Sequence, residues 1–231
     1  MEQSVVVALT YAVDQKSLDR LQSVSSRITL LPIGNLVREE YLLTSQGKEG
    51  TNEYTKVKEK LDSALSQAEV LFLWRDPKNL STRIPNVKWV QLMGVGTDNL
   101  GQRELSRVPA TITHAAGNTS RPIAEYIIGS MLYFVKRMSE LLDHQREHIW
   151  NRSLTLSGLA NKTIGIVGLG NIGREVAHLA RAFNMQTLAT RYSTKTRQEN
   201  VEGVDILYPV NEIDQLLASS DFVALTLPLT P

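Results

Sequence analysis

The sequence predicts an α/β protein: doubly wound parallel sheets arranged in two domains. Three observations carry that expectation. Short apolar, β-rich runs alternate with helical patterns, as in parallel sheets covered on both faces. A G-x-G-x-x-G run stands between an apolar strand and an amphipathic helix. A length of 231 residues suits two modest domains, each able to bury a core.

In chain order, the runs SVVVAL (4–9), EVLFLW (69–74), KWVQLM (88–93) and ATITHA (110–115) read as strands. Between the first two, SQGKEGTNEYTKVKEK (45–60) reads as a loop entering a solvated helix. From Ser120 to about Trp150, apolar residues recur every three or four positions through Ile123, Ile127, Met131, Phe134, Met138, Leu141 and Leu142, predicting one continuous helix. Pro122 suits its first turn, and Asn118, Thr119 and Ser120 offer capping oxygens. At about 1.5 Å per residue that helix would be roughly 40 Å long, more than one small domain needs, so the boundary is placed just before it. The expected domains are residues 1–116 and 117–231.

Within the helix, His144, Glu147 and His148 match H-x-x-E-H, a metallopeptidase pattern. The apolar face falls chiefly on other positions, so both histidines are read as surface residues and no metal is expected.

The segment NKTIGIVGLGNIGREVAHLARAFNMQTLATR (161–191) is the most informative. TIGIVGLG is a strand ending in glycine, and NIGREVAHLARAF has helical periodicity through Ile172, Val176, Leu179, Ala180 and Phe183. In that setting each glycine serves a physical purpose. Gly168 permits the tight turn, Gly170 lets backbone approach a pyrophosphate, and Gly173 lets helix and strand pack closely. The pyrophosphate would meet free amides at the positive end of the helix dipole. Asn184 can end that helix in the left-handed conformation, and MQTLAT makes the next strand. The residue after this strand selects the cofactor, and NAD sites usually place an acid there. Here it is Arg191, followed by Ser193, Thr194, Lys195 and Arg197, a cluster suited to a 2′-phosphate, so NADP is favoured over NAD.

Composition narrows the partners. With 25 basic and 24 acidic residues the net charge is +1, which argues against an electrostatic grip on nucleic acid or an anionic membrane. There is no cysteine, which excludes disulfides, thiolate metal sites and a cysteine nucleophile. The amino terminus lacks the basic start and longer apolar core of a secretory signal, and no stretch is long enough to span a bilayer, so a cytoplasmic protein is expected.

Four segments, GVGTDNLG (94–101), AGNTSRPIAEYIIGSML (116–132), LANKTIGIVGLGNIGREVAHLARAF (159–183) and SDFVALTLPLTP (220–231), resemble in order those of the D-isomer-specific 2-hydroxyacid dehydrogenases. That family includes glyoxylate/hydroxypyruvate reductases and phosphoglycerate dehydrogenase. The resemblance implies a flavodoxin-like substrate domain, a Rossmann cofactor domain, and a homodimer that interconverts small 2-oxo and 2-hydroxy acids. It places Gly94, Val95 and Gly96 where backbone amides hold the substrate carboxylate, and Arg75 in a loop able to add positive charge. It places Asn171 and Ile172 on the pyrophosphate turn, and Leu227 and Pro228 where the cofactor is lined. The arginine, histidine and acid that the family uses for hydride transfer belong beyond Pro231. None of the four histidines present, His114, His144, His148 and His178, matches that role. The expectation is thus an incomplete Rossmann domain in a fragment inactive on its own, the alternative being a non-catalytic dinucleotide-binding or regulatory module.

Overall fold

Alternating strands and helices form two separate sheets in the computed structural model, which describes residues 4–94, 96 and 104–228. Two units divide the chain, Met1–Ala115 and Ala116–Pro231.

The first unit has five parallel strands in the order β2-β1-β3-β4-β5: β1 (Val5–Leu9), β2 (Ile28–Pro32), β3 (Val70–Leu73), β4 (Trp89–Leu92) and β5 (Thr111–His114). This is the flavodoxin-like order. The helices are α1 (Gln15–Gln22), α2 (Gly34–Ser45), α3 (Asn52–Gln67) and α4 (Leu80–Arg83). Leu61, Leu65, Leu71, Leu73, Val90 and Leu92 are buried in one core.

Residues 45–60 depart from expectation. Helix α2 continues to Ser45, and α3 is half core, burying Tyr54, Val57, Leu61 and Leu65. The Thr51 hydroxyl caps α3, accepting from the Tyr54 amide at 3.2 Å. Lysines and glutamates dominate the segment, but its apolar residues fall at three- and four-residue spacing, and that spacing decides which face is buried.

A buried ion cluster ties α2, α3 and α4 together. Arg83 Nη1 donates to both Glu40 oxygens, at 2.9 and 3.1 Å, and its Nε pairs with Asp62. The Arg83 and Glu40 side chains are only 6% and 4% exposed, so neither charge can turn to water.

In the second unit the predicted long helix is two. Helix α5 (Ser120–Val135) stops at Lys136, Arg137 takes a left-handed φ of 49°, and α6 (Met138–Arg146) begins after it. Neither residue is a glycine or proline, so no breaker announces the stop, while the apolar spacing runs on through Met138, Leu141 and Leu142. The buried face agrees with the predicted one only in part, at Met131 and at Ile127, which packs against the core. Ala124, Ile128 and Met131 enter the core, whereas Ile123, Tyr126, Phe134, Met138 and Leu142 are exposed. Thr119 precedes α5 without a side-chain capping bond. Among the described residues no helix is long and apolar enough to cross a membrane.

The second sheet runs β10-β6-β7-β9-β8, with β6 (Thr163–Val167), β7 (Gln186–Thr190), β8 (Gln198–Val201), β9 (Val204–Tyr208) and β10 (Phe222–Leu225). Strands β9, β7, β6 and β10 are parallel and reproduce the Rossmann order 3-2-1-4. The sheet as a whole is mixed, because β8 pairs antiparallel to β9 through a tight turn at Glu202 and Gly203. Helix α7 (Asn171–Ala182) buries Val176, Ala177 and Ala180 in the cluster that holds Ala124, Ile128 and Met131 of α5, and α8 (Ile213–Ala218) precedes β10. Asn184 takes the expected left-handed conformation at φ 55° and ends α7.

Removing one partner of a buried ion pair costs about 3–5 kcal/mol, because the other charge is left without compensation. Arg83→Met is therefore expected to lower the urea midpoint of unfolding sharply, followed by tryptophan fluorescence, and Arg83→Met combined with Glu40→Leu to recover most of the loss. An unchanged midpoint in the single variant would rule out a structural role for the cluster.

Candidate functional site

Strand β6 is a buried interior strand of the second sheet, between β10 and β7, and delivers the chain to the glycine turn. Gly168 sits at φ +106°, and a Cβ there would lie 2.8 Å from Leu227 Cδ2 and 3.1 Å from the Thr226 carbonyl oxygen. The turn is lashed on both sides. The Gly168 and Leu169 amides both donate to the Thr190 carbonyl at the end of β7, at 3.0 and 3.2 Å. From the other side the Thr226 hydroxyl donates to the Gly168 carbonyl at 2.6 Å, and the Thr226 amide to the Val167 carbonyl at 3.0 Å.

Helix α7 starts directly from this turn. A Cβ on Gly173 would come 2.4 Å from the Gly168 carbonyl oxygen, so the close contact of helix and turn requires glycine. Gly170 differs: no atom stands within 4 Å of where its Cβ would be, so packing does not require its bareness, which instead keeps the outer side of the turn clear. No side chain caps α7. The amides of Asn171, Ile172 and Gly173 therefore have no carbonyl partner within the helix and carry its positive end. The arrangement is a cradle for a bound pyrophosphate.

Arg191 follows β7 immediately, at the rim of that cradle. Its Nη1 pairs with Glu202 at 2.8 Å, and Arg174 Nη2, from the first turns of α7, pairs with the same carboxylate at 2.7 Å. Hydrogen bonds from Arg174 and then Arg191 hold the Glu202 carboxyl below the usual carboxylate range. Arg191 Nε, Thr190 Oγ1 and Thr194 Oγ1 are buried with no hydrogen-bond partner among the described residues. Ser193 is exposed, Lys195 lies over the Tyr192 ring and Arg197 over the Tyr208 ring. Leu227 and Pro228, after β10, are exposed beside the turn.

In the first unit, Arg75 follows β3 and its guanidinium lies 4.2 Å from the centre of the Tyr41 ring. Gly94 follows β4 and its carbonyl accepts from the Ala115 amide at 3.3 Å. Gly96 is exposed, and Val95 lies outside the described residues. The H-x-x-E-H pattern loses its helical register, since α6 ends at Arg146 and His148 takes a left-handed φ of 56°. His114 closes β5 and His178 lies within α7.

Three residues of this region carry no mark in the sequence. Thr226 has no pattern that identifies it as the tie of the glycine turn. Arg174 looks like any polar helix residue. Glu202 is hidden because β8, QENV, lacks the apolar alternation that would reveal the hairpin; the only trace is the Glu-Gly pair at its turn.

Residues 128–231 match the family model described as "D-isomer specific 2-hydroxyacid dehydrogenase, NAD binding domain". Hydroxypyruvate reductase of Thermotoga maritima is 28% identical over 195 residues, which cover 83% of this chain and 61% of that protein. Glyoxylate reductase of Thermofilum pendens is 32% identical over 151 residues, covering 63% of this chain and 44% of that protein. The chain thus spans less than two thirds of the length of these relatives. In fold, it superposes with a TM-score of 0.75 on a D-isomer specific 2-hydroxyacid dehydrogenase family protein from Aeromonas salmonicida, at 21% identity, covering 99% of this chain and 65% of that one. The glycine turn, its strand order and these matches together assign residues 128–231 to the nicotinamide-dinucleotide-binding domain of the D-isomer specific 2-hydroxyacid dehydrogenases.

Proposed function

We propose that the protein is an oxidoreductase that transfers hydride between a nicotinamide cofactor, with NADP favoured over NAD, and a small 2-oxo or 2-hydroxy acid such as glyoxylate or hydroxypyruvate. The observation that carries this reading is the glycine turn: free amides at the start of α7, a side cleared at Gly170, and a cationic rim at Arg191. The substrate class is supported by the names of the relatives, a hydroxypyruvate reductase and a glyoxylate reductase.

In this reading the second unit binds the cofactor, which supplies the hydride acceptor or donor. The amides of Asn171, Ile172 and Gly173 hold its pyrophosphate, Leu227 and Pro228 line it, and Arg191 with Ser193 meets the adenosine ribose or its phosphate. Arg191 suits an oxyanion because a guanidinium offers paired donors, and its buried Nε awaits an acceptor. The first unit binds substrate: the Gly94–Gly96 backbone takes the carboxylate and Arg75 adds positive charge. The active form is read as a cytoplasmic homodimer.

Fluorescence titration of the chain with NADPH and NADH tests the reading directly. Both are expected to saturate, NADPH more tightly, and Arg191→Gln is expected to weaken NADPH about tenfold, equivalent to about 1.4 kcal/mol, while leaving NADH nearly unchanged. Absence of saturable binding by either dinucleotide would remove the proposal, and tighter NADH binding would reverse the cofactor preference. The glycines separate fold from ligand. Gly170→Ala should leave the melting temperature in place and weaken both dinucleotides. Gly173→Ala should lower stability by about 1–3 kcal/mol through its clash with the Gly168 carbonyl. Equal melting temperatures for these two variants would contradict the packing argument.

A further inference from the structure

Two guanidiniums at the rim of the glycine turn share one carboxylate that comes from neither of their own elements. Glu202 sits at the tip of the β8–β9 hairpin with a left-handed φ of 51°, which an L side chain rarely adopts, next to Gly203 at φ 83°. From there its carboxylate accepts from Arg191 at 2.8 Å and from Arg174 at 2.7 Å. The Glu202 and Arg191 side chains are 30% and 31% exposed, so the pair stands at the surface of the rim, within reach of a ligand.

The pairing is incomplete on the arginine side. Glu202 takes Arg191 through Nη1, while Nε is buried without an acceptor among the described residues. A guanidinium satisfied side-on by an oxyanion would use Nε together with a terminal nitrogen. Arg191 is therefore held by an internal anion in a geometry that leaves one of its donors unused.

We propose that Glu202 is the residue that sets the discrimination between the two dinucleotides: it competes with the 2′-phosphate of NADP for Arg191 and Arg174. The inference rests on the dinucleotide reading above. A 2′-phosphate is a dianion that the two arginines attract and Glu202 repels, so its binding requires Arg191 to exchange one anion for another. The ribose hydroxyls of NAD carry no charge and can donate to the Glu202 carboxylate, the service usually given by an acid at the end of the second strand. The hairpin thus returns, from a different element, the acid that Arg191 replaces in sequence. The preference for NADP conferred by Arg191 is limited by Glu202.

The test is Glu202→Gln, which keeps the side chain's size and hydrogen-bonding capacity and removes its charge. Dissociation constants for NADPH, NADH, 2′-AMP and 5′-AMP are measured by titration on the wild type, on Glu202→Gln and on Arg191→Gln. The ratio of NADH to NADPH dissociation constants is expected to rise about tenfold in Glu202→Gln, and the 5′-AMP to 2′-AMP ratio to rise with it. An unchanged ratio, a ratio that falls, or parallel weakening of all four ligands would overturn the inference, since these are the signatures of a purely structural carboxylate. If Glu202→Gln does not fold by circular dichroism, Glu202→Asp keeps the charge and draws it back by one methylene. It should move both ratios the same way by about threefold, and no movement would again overturn the inference. Failure of the underlying reading looks different: the wild type would bind no dinucleotide, or Arg191→Gln would leave NADPH affinity unchanged.

Discussion

One carbonyl organises the second unit. The Thr190 oxygen, at the end of β7, accepts from two consecutive amides, those of Gly168 and Leu169. That pair of hydrogen bonds fixes where β6 ends, and the carbonyl of Gly168 then fixes how closely α7 can start, because a Cβ on Gly173 would meet it at 2.4 Å. The Thr226 hydroxyl binds the same Gly168 carbonyl from β10's side. Three strand ends and a helix start converge on the glycine turn, and the amides at the start of α7 are available for a ligand because the helix supplies them no carbonyl and no side chain caps them.

The same carbonyl places the charge. Arg191 is the residue after Thr190, so whatever pins the turn also sets the guanidinium beside it. Its neighbour in space is an acid eleven positions later in the chain, brought back by a hairpin rather than by the crossover helix usual at this point of a doubly wound sheet. The rim of the cradle carries two arginines and one glutamate, a net positive charge whose strength toward an anion depends on a single carboxylate.

Much of this is legible in the sequence, and the limits have physical causes. Central strands are visible because burial on both faces leaves an uninterrupted apolar run, as in TIGIV and VLFL. The glycine turn is visible because its bare residues stand between strand and helix patterns. The β8 edge strand is not: its residues are nearly all exposed, so nothing selects for alternation. The break at Arg137 escapes a reading of periodicity because it rests on one backbone angle in a residue that ordinarily continues a helix. The buried face of α5 is ambiguous because apolar residues occur nearly all round it, and only the neighbours decide which side is covered. Glu202 is hidden for a related reason: charge pairing across a hairpin leaves no periodicity to read.

The two units also show why strand order alone does not make a binding site. In open α/β sheets the crevice for a ligand forms where the strand order reverses, at β1/β3 in the first unit and β6/β10 in the second. In the first unit that point is closed by Thr10, which is 3% exposed: its hydroxyl donates to the Phe72 carbonyl at 3.2 Å and accepts from the Trp74 amide at 3.1 Å. The backbone groups there are satisfied internally. In the second unit a threonine again bridges the two strand ends, Thr226 reaching the Gly168 carbonyl, and among the described residues no side chain caps the helix that follows the turn. The difference lies at the helix that follows: the Asp14 side chain caps α1 by accepting from the Ser17 amide, whereas no side chain caps α7. A capped helix start has spent its donors, whereas an uncapped one leaves them for an anion. That chemistry ties the dinucleotide reading to the second unit and leaves the first unit to present its candidate residues at the neighbouring strand ends, after β3 and β4.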